Sequence, residues 1–218
     1  MRNILLYIVC ILGLILCNYV SAATIVDYKE IKDYVTNNRS GYDSLVTRFA
    51  NCDTTLTNEE IARIYYGYSF TKRYSPYSSN SEINKTYKNK DYKKALKMSK
   101  KLLKSNPVSL DLLLISFVSS SNLKQETLAL SARTRFNQIV SMIFDAGDGS
   151  EENPLKVICV DDEYAILRTC YDIKNFKGQA LTQNMCDKMM VVLEGEENPI
   201  GIYFDVSLAM GKLSGMFK

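Results

Sequence analysis

Asp91-Tyr92-Lys93-Lys94-Ala95-Leu96-Lys97-Met98-Ser99-Lys100-Lys101-Leu102-Leu103-Lys104 decides how the chain is read. Tyr92, Ala95, Leu96, Ser99, Leu102 and Leu103 recur at the three- and four-residue spacing of one helix face, and lysines occupy the other. Ser105-Asn106-Pro107 stops that helix, because proline cannot continue one and restricts the residue before it. A second helix is predicted over residues 109–122, with Ser109 as its N-cap. Leu110, Leu112, Leu113, Leu114, Ile115, Phe117 and Val118 leave it almost no polar side, so burial is expected. A solvated helix followed at once by a buried one makes an antiparallel hairpin.

Tyr92, Ala95, Leu102 and Pro107 also fit the second helix of a tetratricopeptide repeat. The required first helix is not evident over residues 76–89, so a repeat-like helix pair is expected and not a repeat domain.

Upstream, residues 27–37 and 42–50 read as helices separated by Asn37-Asn38-Arg39-Ser40-Gly41. Thr57-Asn58-Glu59-Glu60 is a capping box that opens a third helix through Ile61, Ile64, Tyr65 and Tyr68. Downstream, Leu128, Ala132, Phe136, Ile139 and Ile143 mark a long helix over residues 124–144. After Pro154 the rhythm shifts to that of strands. Residues 156–160 and 164–169 are expected to form a hairpin around Asp161-Asp162-Glu163. Residues 171–178 are expected to connect it to strands over 186–194 and 200–206. The predicted fold is α+β: an N-terminal helical array packed on a small C-terminal antiparallel sheet. The segments are a leader (1–22), a helical region (23–153) and a sheet region (154–218) of the same unit.

The 218 residues are 46% hydrophobic and 23% charged, with a net charge of +3. So small a charge argues against a nucleic-acid partner, which needs a concentrated basic field. There is no histidine, which removes the serine-histidine triad and histidine-ligated zinc together. Residues 1–22 read as a secretory signal: Arg2, an apolar run over residues 4–16, and a small-residue cleavage site at Val20-Ser21-Ala22 or Ser21-Ala22-Ala23. Lipid attachment at Cys17 is a lesser alternative, because Leu16 before it is large. The expected location is periplasmic or secreted, with no membrane span after cleavage. In such a compartment Cys52, Cys159, Cys170 and Cys186 could bridge or stay as small buried hydrophobes.

Tyr65-Tyr66-Gly67-Tyr68-Ser69-Phe70 and Tyr74-Ser75-Pro76-Tyr77 form the most unusual stretch. Tyr65, Tyr66, Tyr68, Tyr74, Pro76 and Tyr77 are the candidate binding residues, since tyrosine offers a flat apolar face with a polar tip. The plain alternative is that they pack the helices. These two motifs, with the helix ending Lys104-Ser105-Asn106-Pro107, resemble domain of unknown function 4919, an uncharacterised family of exported bacterial proteins. Asp145-Ala146-Gly147-Asp148-Gly149-Ser150, Val160-Asp161-Asp162-Glu163-Tyr164 and Ile202-Tyr203-Phe204-Asp205-Val206 are similar to the same family. The resemblance implies export and assigns no catalytic residue.

No cofactor, metal or catalytic residue is expected. The acidic turn at Asp145–Ser150 departs from the calcium-loop pattern at Gly147 and Ser150. The leading function is a non-catalytic interaction or structural module that meets a protein or glycan of the cell envelope. The alternative is an Asp/Glu hydrolase of glycan or peptide, which requires Asp148, Asp161, Asp162 and Glu163 to converge in a deep pocket with Tyr66 or Tyr74. A third reading gives the lysine face of residues 88–101 to anionic lipid; the plain reading makes it a solvated helix face.

Overall fold

A computed structural model describes residues 26–76 and 81–215. Seven helices come first: α1 (Tyr28–Asn37), α2 (Arg39–Ala50), α3 (Asn58–Tyr68), α4 (Ser81–Lys88), α5 (Tyr92–Leu102), α6 (Leu110–Asn122) and α7 (Glu126–Ala146). The last part holds β1 (Leu155–Lys156), α8 (Val160–Cys170), β2 (Ile173–Leu181), β3 (Cys186–Leu193), β4 (Ile200–Asp205) and α9 (Ser207–Ser214). The α+β class follows. Among the described residues no strand precedes Pro154. The expected leader over residues 1–22 lies outside them.

Local caps set most of the helix starts. Asp27 accepts the Lys29 and Glu30 amides at 2.8 and 3.1 Å. Thr57 and Glu60 close the capping box reciprocally, at 3.2 and 2.9 Å. Asp91 caps α5 through the Lys94 amide, and Ser109 caps α6 through the Leu112 amide. The break expected over residues 37–41 shrinks to Asn38 alone, whose side chain accepts the Gly41 amide at 3.1 Å and starts α2 at once. α5 and α6 pack as the expected pair. The helix before them exists after all as α4, but only eight residues long. Its buried positions are Ile83 and Thr86, too few to stand out in a polar stretch.

The sheet is mixed, in the order β1-β4-β3-β2: β1 runs parallel to β4 and the other pairs are antiparallel. This corrects the expected all-antiparallel sheet in two places. Residues 160–170 form α8 and not half of a hairpin. Asp161, Asp162 and Glu163 occupy its first turn, where acids favour a helix N-terminus, and are not a surface turn. Residues 171–178, expected to be a connection, fall mostly within β2. As an edge strand it has no buried residue, so it carries no alternating pattern. After β4 the chain continues into α9.

One hydrophobic cluster runs from Ile31 to Leu208 through both parts of the chain. Gly67 is required where α1, α2 and α3 meet. A Cβ there would stand 2.8 Å from the Tyr42 ring and 2.9 Å from the Val35 methyl. The four cysteines Cys52, Cys159, Cys170 and Cys186 are free thiols.

Candidate functional site

The tyrosine stretch lies inside the molecule. Tyr65 and Tyr66 are fully buried, and Tyr68 and Tyr74 nearly so. Pro76 is also buried, and Tyr77 lies outside the described residues. Tyr65 and Tyr66 on α3, and Tyr74 after it, reach the last third of the chain. The Tyr65 hydroxyl donates to the Asp162 carboxylate at 2.8 Å and accepts the Ile158 amide at 3.3 Å. Tyr66 donates to the Lys156 carbonyl at 3.1 Å, and Tyr74 donates to the Ile158 carbonyl. Tyr68 donates to the carbonyls of Arg73 and Ser105, at 3.3 and 3.2 Å. Burial pushes the Tyr65 and Tyr66 hydroxyls well above their ordinary range, so both stay protonated donors. Four of the six candidate residues thus bond one part of the protein to another through their hydroxyls.

α8 carries two consecutive carboxyls with no solvent exposure. Asp162 faces the helices. Its oxygens accept the Tyr65 hydroxyl and, at 3.0 Å, the Leu110 amide at the start of α6. Burial raises it to about 7, against the pull of Tyr65, Cys159 and the Leu110 amide, which stabilise its charged form. Burial also pushes the Cys159 thiol far up, so it is no nucleophile.

Glu163 faces the sheet. Neither of its oxygens has a hydrogen-bond partner as a carboxylate. Burial first, then the neighbouring charges of Asp187 and Asp162, raise it to about 9. It is therefore a neutral acid at pH 7, and its proton can bridge to Asp187. Asp187 in turn accepts the Gln179 amide at 2.7 Å, and Gln179 accepts the Tyr164 hydroxyl at 3.0 Å. Sequence reasoning missed Asp187 and Gln179, which a 24-residue separation in one case hides from any local window.

The other acids are engaged separately. The Ser150 side chain, and then its amide at 2.9 Å, bond Asp148 within its own turn and hold it below the ordinary carboxylate range. Glu151 accepts the Tyr203 hydroxyl, and Asp145 accepts the Asn58 side-chain amide. The convergence that a hydrolase needs does not form: Asp148 sits at an exposed turn while Asp162 is sealed. Among the described residues no group of three or more Asp, Glu, Cys or His is placed to hold a metal.

Open clefts lie elsewhere. One of about 380 Å³ is lined by Thr54, Asn58, Arg133, Asn137 and Gln138 between the start of α3 and the middle of α7. One of about 280 Å³ lies beside Lys93, Lys97 and Lys100 on α5. A third, of about 490 Å³, is lined by Val35, Thr36, Arg39, Phe70, Thr71, Lys72 and Arg73.

Compared with known proteins, the chain matches the family described as Domain of unknown function (DUF4919) over residues 29–214. The chain belongs to that family. The match begins in α1 and ends in α9, so the DUF4919 domain contains both the tyrosine-to-backbone bonds and the two carboxyls of α8. No curated protein and no solved structure matches the chain. Among the described residues no helix is long and apolar enough to cross a membrane.

Proposed function

We propose that this DUF4919 chain is an exported, non-catalytic interaction or structural module of the cell envelope, meeting a protein or glycan there. The observation that carries the reading is the fate of Asp162. Both of its oxygens are taken up by Tyr65 and the start of α6, with no exposure to a substrate. A general acid or base must come within hydrogen-bond reach of the group it serves. Export is supported by the leader pattern of residues 1–22. Sequencing the N-terminus of the exported chain is expected to find it at residue 23 or 24.

One observation favours the hydrolase reading. Glu163 is a carboxyl that burial pushes upward beside a second carboxyl, Asp187, and paired carboxyls are what acid-base hydrolysis uses. Its complete burial opposes that use. The test is turnover. The processed chain is incubated with envelope glycan and with a mixed peptide pool, and products are sought by mass spectrometry. No product is expected. A product that disappears in Glu163→Gln would establish the hydrolase instead. On the binding side, the immobilised chain is expected to retain an envelope protein or glycan above a heat-unfolded control; equal retention counts against the module.

A further inference from the structure

We propose that the cleft between α1, α2 and the segment after α3 is a binding site for a phosphate-bearing ligand. This deepens the module reading and rests on it. The larger cavity of about 490 Å³ carries Arg39, Lys72 and Arg73 with the Thr36 and Thr71 side chains. A smaller one of about 70 Å³ shares Arg39, Thr71 and Arg73 and adds Lys104 and Ser105. The two share Arg39, Thr71 and Arg73, and together bring four cations from three segments of the chain. Their only acid is Asp43, bonded to Arg39 at 3.1 Å.

The groove is built, and is not an accident of exposed lysines. Gly67 lets α3 approach Tyr42 and Val35, and both of these side chains line the groove. The Tyr68 hydroxyl bonds the Arg73 carbonyl and the Ser105 carbonyl at once, so it holds the Arg73 loop against the Lys104 loop. Arg39 is positioned by Asp43 and by stacking 5.5 Å over the Tyr42 ring. Arg73 presents a planar fork that matches a phosphoryl group, Arg39 keeps its remaining N–H groups beyond the edge that Asp43 holds, and Lys72 and Lys104 add charge without a fixed geometry. The lysines of α5 lack arginine, and Lys94 already faces Glu82 at 3.3 Å.

The chemistry recognised is a phosphoryl group, whether free or on a lipid headgroup. The test titrates the processed chain with inorganic pyrophosphate by calorimetry at low salt. In a second arm, vesicles of phosphatidylcholine with and without phosphatidylglycerol are sedimented with it. Arg73→Gln/Lys104→Gln alters exposed side chains of the groove, and Lys93→Gln/Lys97→Gln alters the α5 face; circular dichroism checks that both fold. The groove variant is expected to lose affinity about tenfold or more in at least one arm, since it removes two of the charge-assisted hydrogen-bond donors. The α5 variant is expected to change it less than about twofold, in line with the weak effect of solvated charges. Loss in the pyrophosphate arm assigns a free phosphorylated ligand; loss only with phosphatidylglycerol assigns a headgroup. No binding in either arm, or binding equally strong in the groove variant, overturns the site. Product in the turnover assay would sink the non-catalytic reading and leave this titration unaffected.

Discussion

The two sides of α8 make a sharp contrast. Toward the helices it presents Asp162, and toward the sheet Glu163, at adjacent positions and with equal burial. On the helical side every oxygen meets a donor. On the sheet side the neighbour is another carboxyl, and the site is completed only when a proton is added. Burial alone therefore does not decide what a carboxyl does. The partners do: Asp162 acts as a bolt between α3 and α6, and Glu163 makes the sheet side sensitive to pH.

The largest effect should come from removing that bolt. Asp162→Ala leaves the Tyr65 O–H and the Leu110 N–H without an acceptor, at roughly 1–3 kcal/mol each, and is expected to cost about 3–5 kcal/mol in urea unfolding. A loss under about 1 kcal/mol would erase the contrast.

Glu163→Gln should do the reverse. A carboxyl whose folded value lies above its unfolded one stabilises the fold in acid and loses that contribution as pH rises. For Glu163 the window runs from 4.5 to about 9. The substitution should therefore be near neutral at pH 4 and stabilising at pH 7, by on the order of 3 kcal/mol. Urea midpoints measured from pH 4 to 9 should fall less steeply in the variant. Destabilisation at pH 7 would mean that Glu163 is charged and paired.

Gly67→Ala tests a place where the helical region has no slack. The added methyl meets the Tyr42 ring and Val35. It should cost about 1–3 kcal/mol by thermal melting, despite alanine's better helix propensity. Smallest is Thr57→Ala, which opens the capping box at the start of α3. It should lose about 1 kcal/mol and leave the pH dependence unchanged, which separates a local helix start from the carboxyls of α8.

These residues also show why some of the architecture could be read in advance. Thr57 with Glu60, and Ser109 with Leu112, are bonds across three residues, so a short window of sequence contains the whole cause. The predicted helices over residues 109–122 and 124–144 match α6 and α7 closely for the same reason. β2 takes its position from β3, through pairs such as Phe176 with Val191, and nothing inside residues 173–181 announces it. α8 was hidden because an acid triplet suits a helix start as well as a turn. The site is harder still. The Tyr65–Asp162 bond spans 97 residues, and the four cations of the groove come from segments as distant as Arg39 and Lys104. Lys72 and Arg73 are neighbours in sequence, and nothing around them points to Arg39 or Lys104.

The reach of the buried tyrosines bears on the order in which the molecule can assemble. Tyr65, Tyr66 and Tyr74 find their hydroxyl partners 97, 90 and 84 residues further along. A ribosome or a translocation channel delivers the helices first. Until the stretch around Lys156, Ile158 and Asp162 emerges, those three phenols have only water to bond. Completion of the front half waits on the back, and a nascent chain halted at α7 would hold its helices without a finished interior.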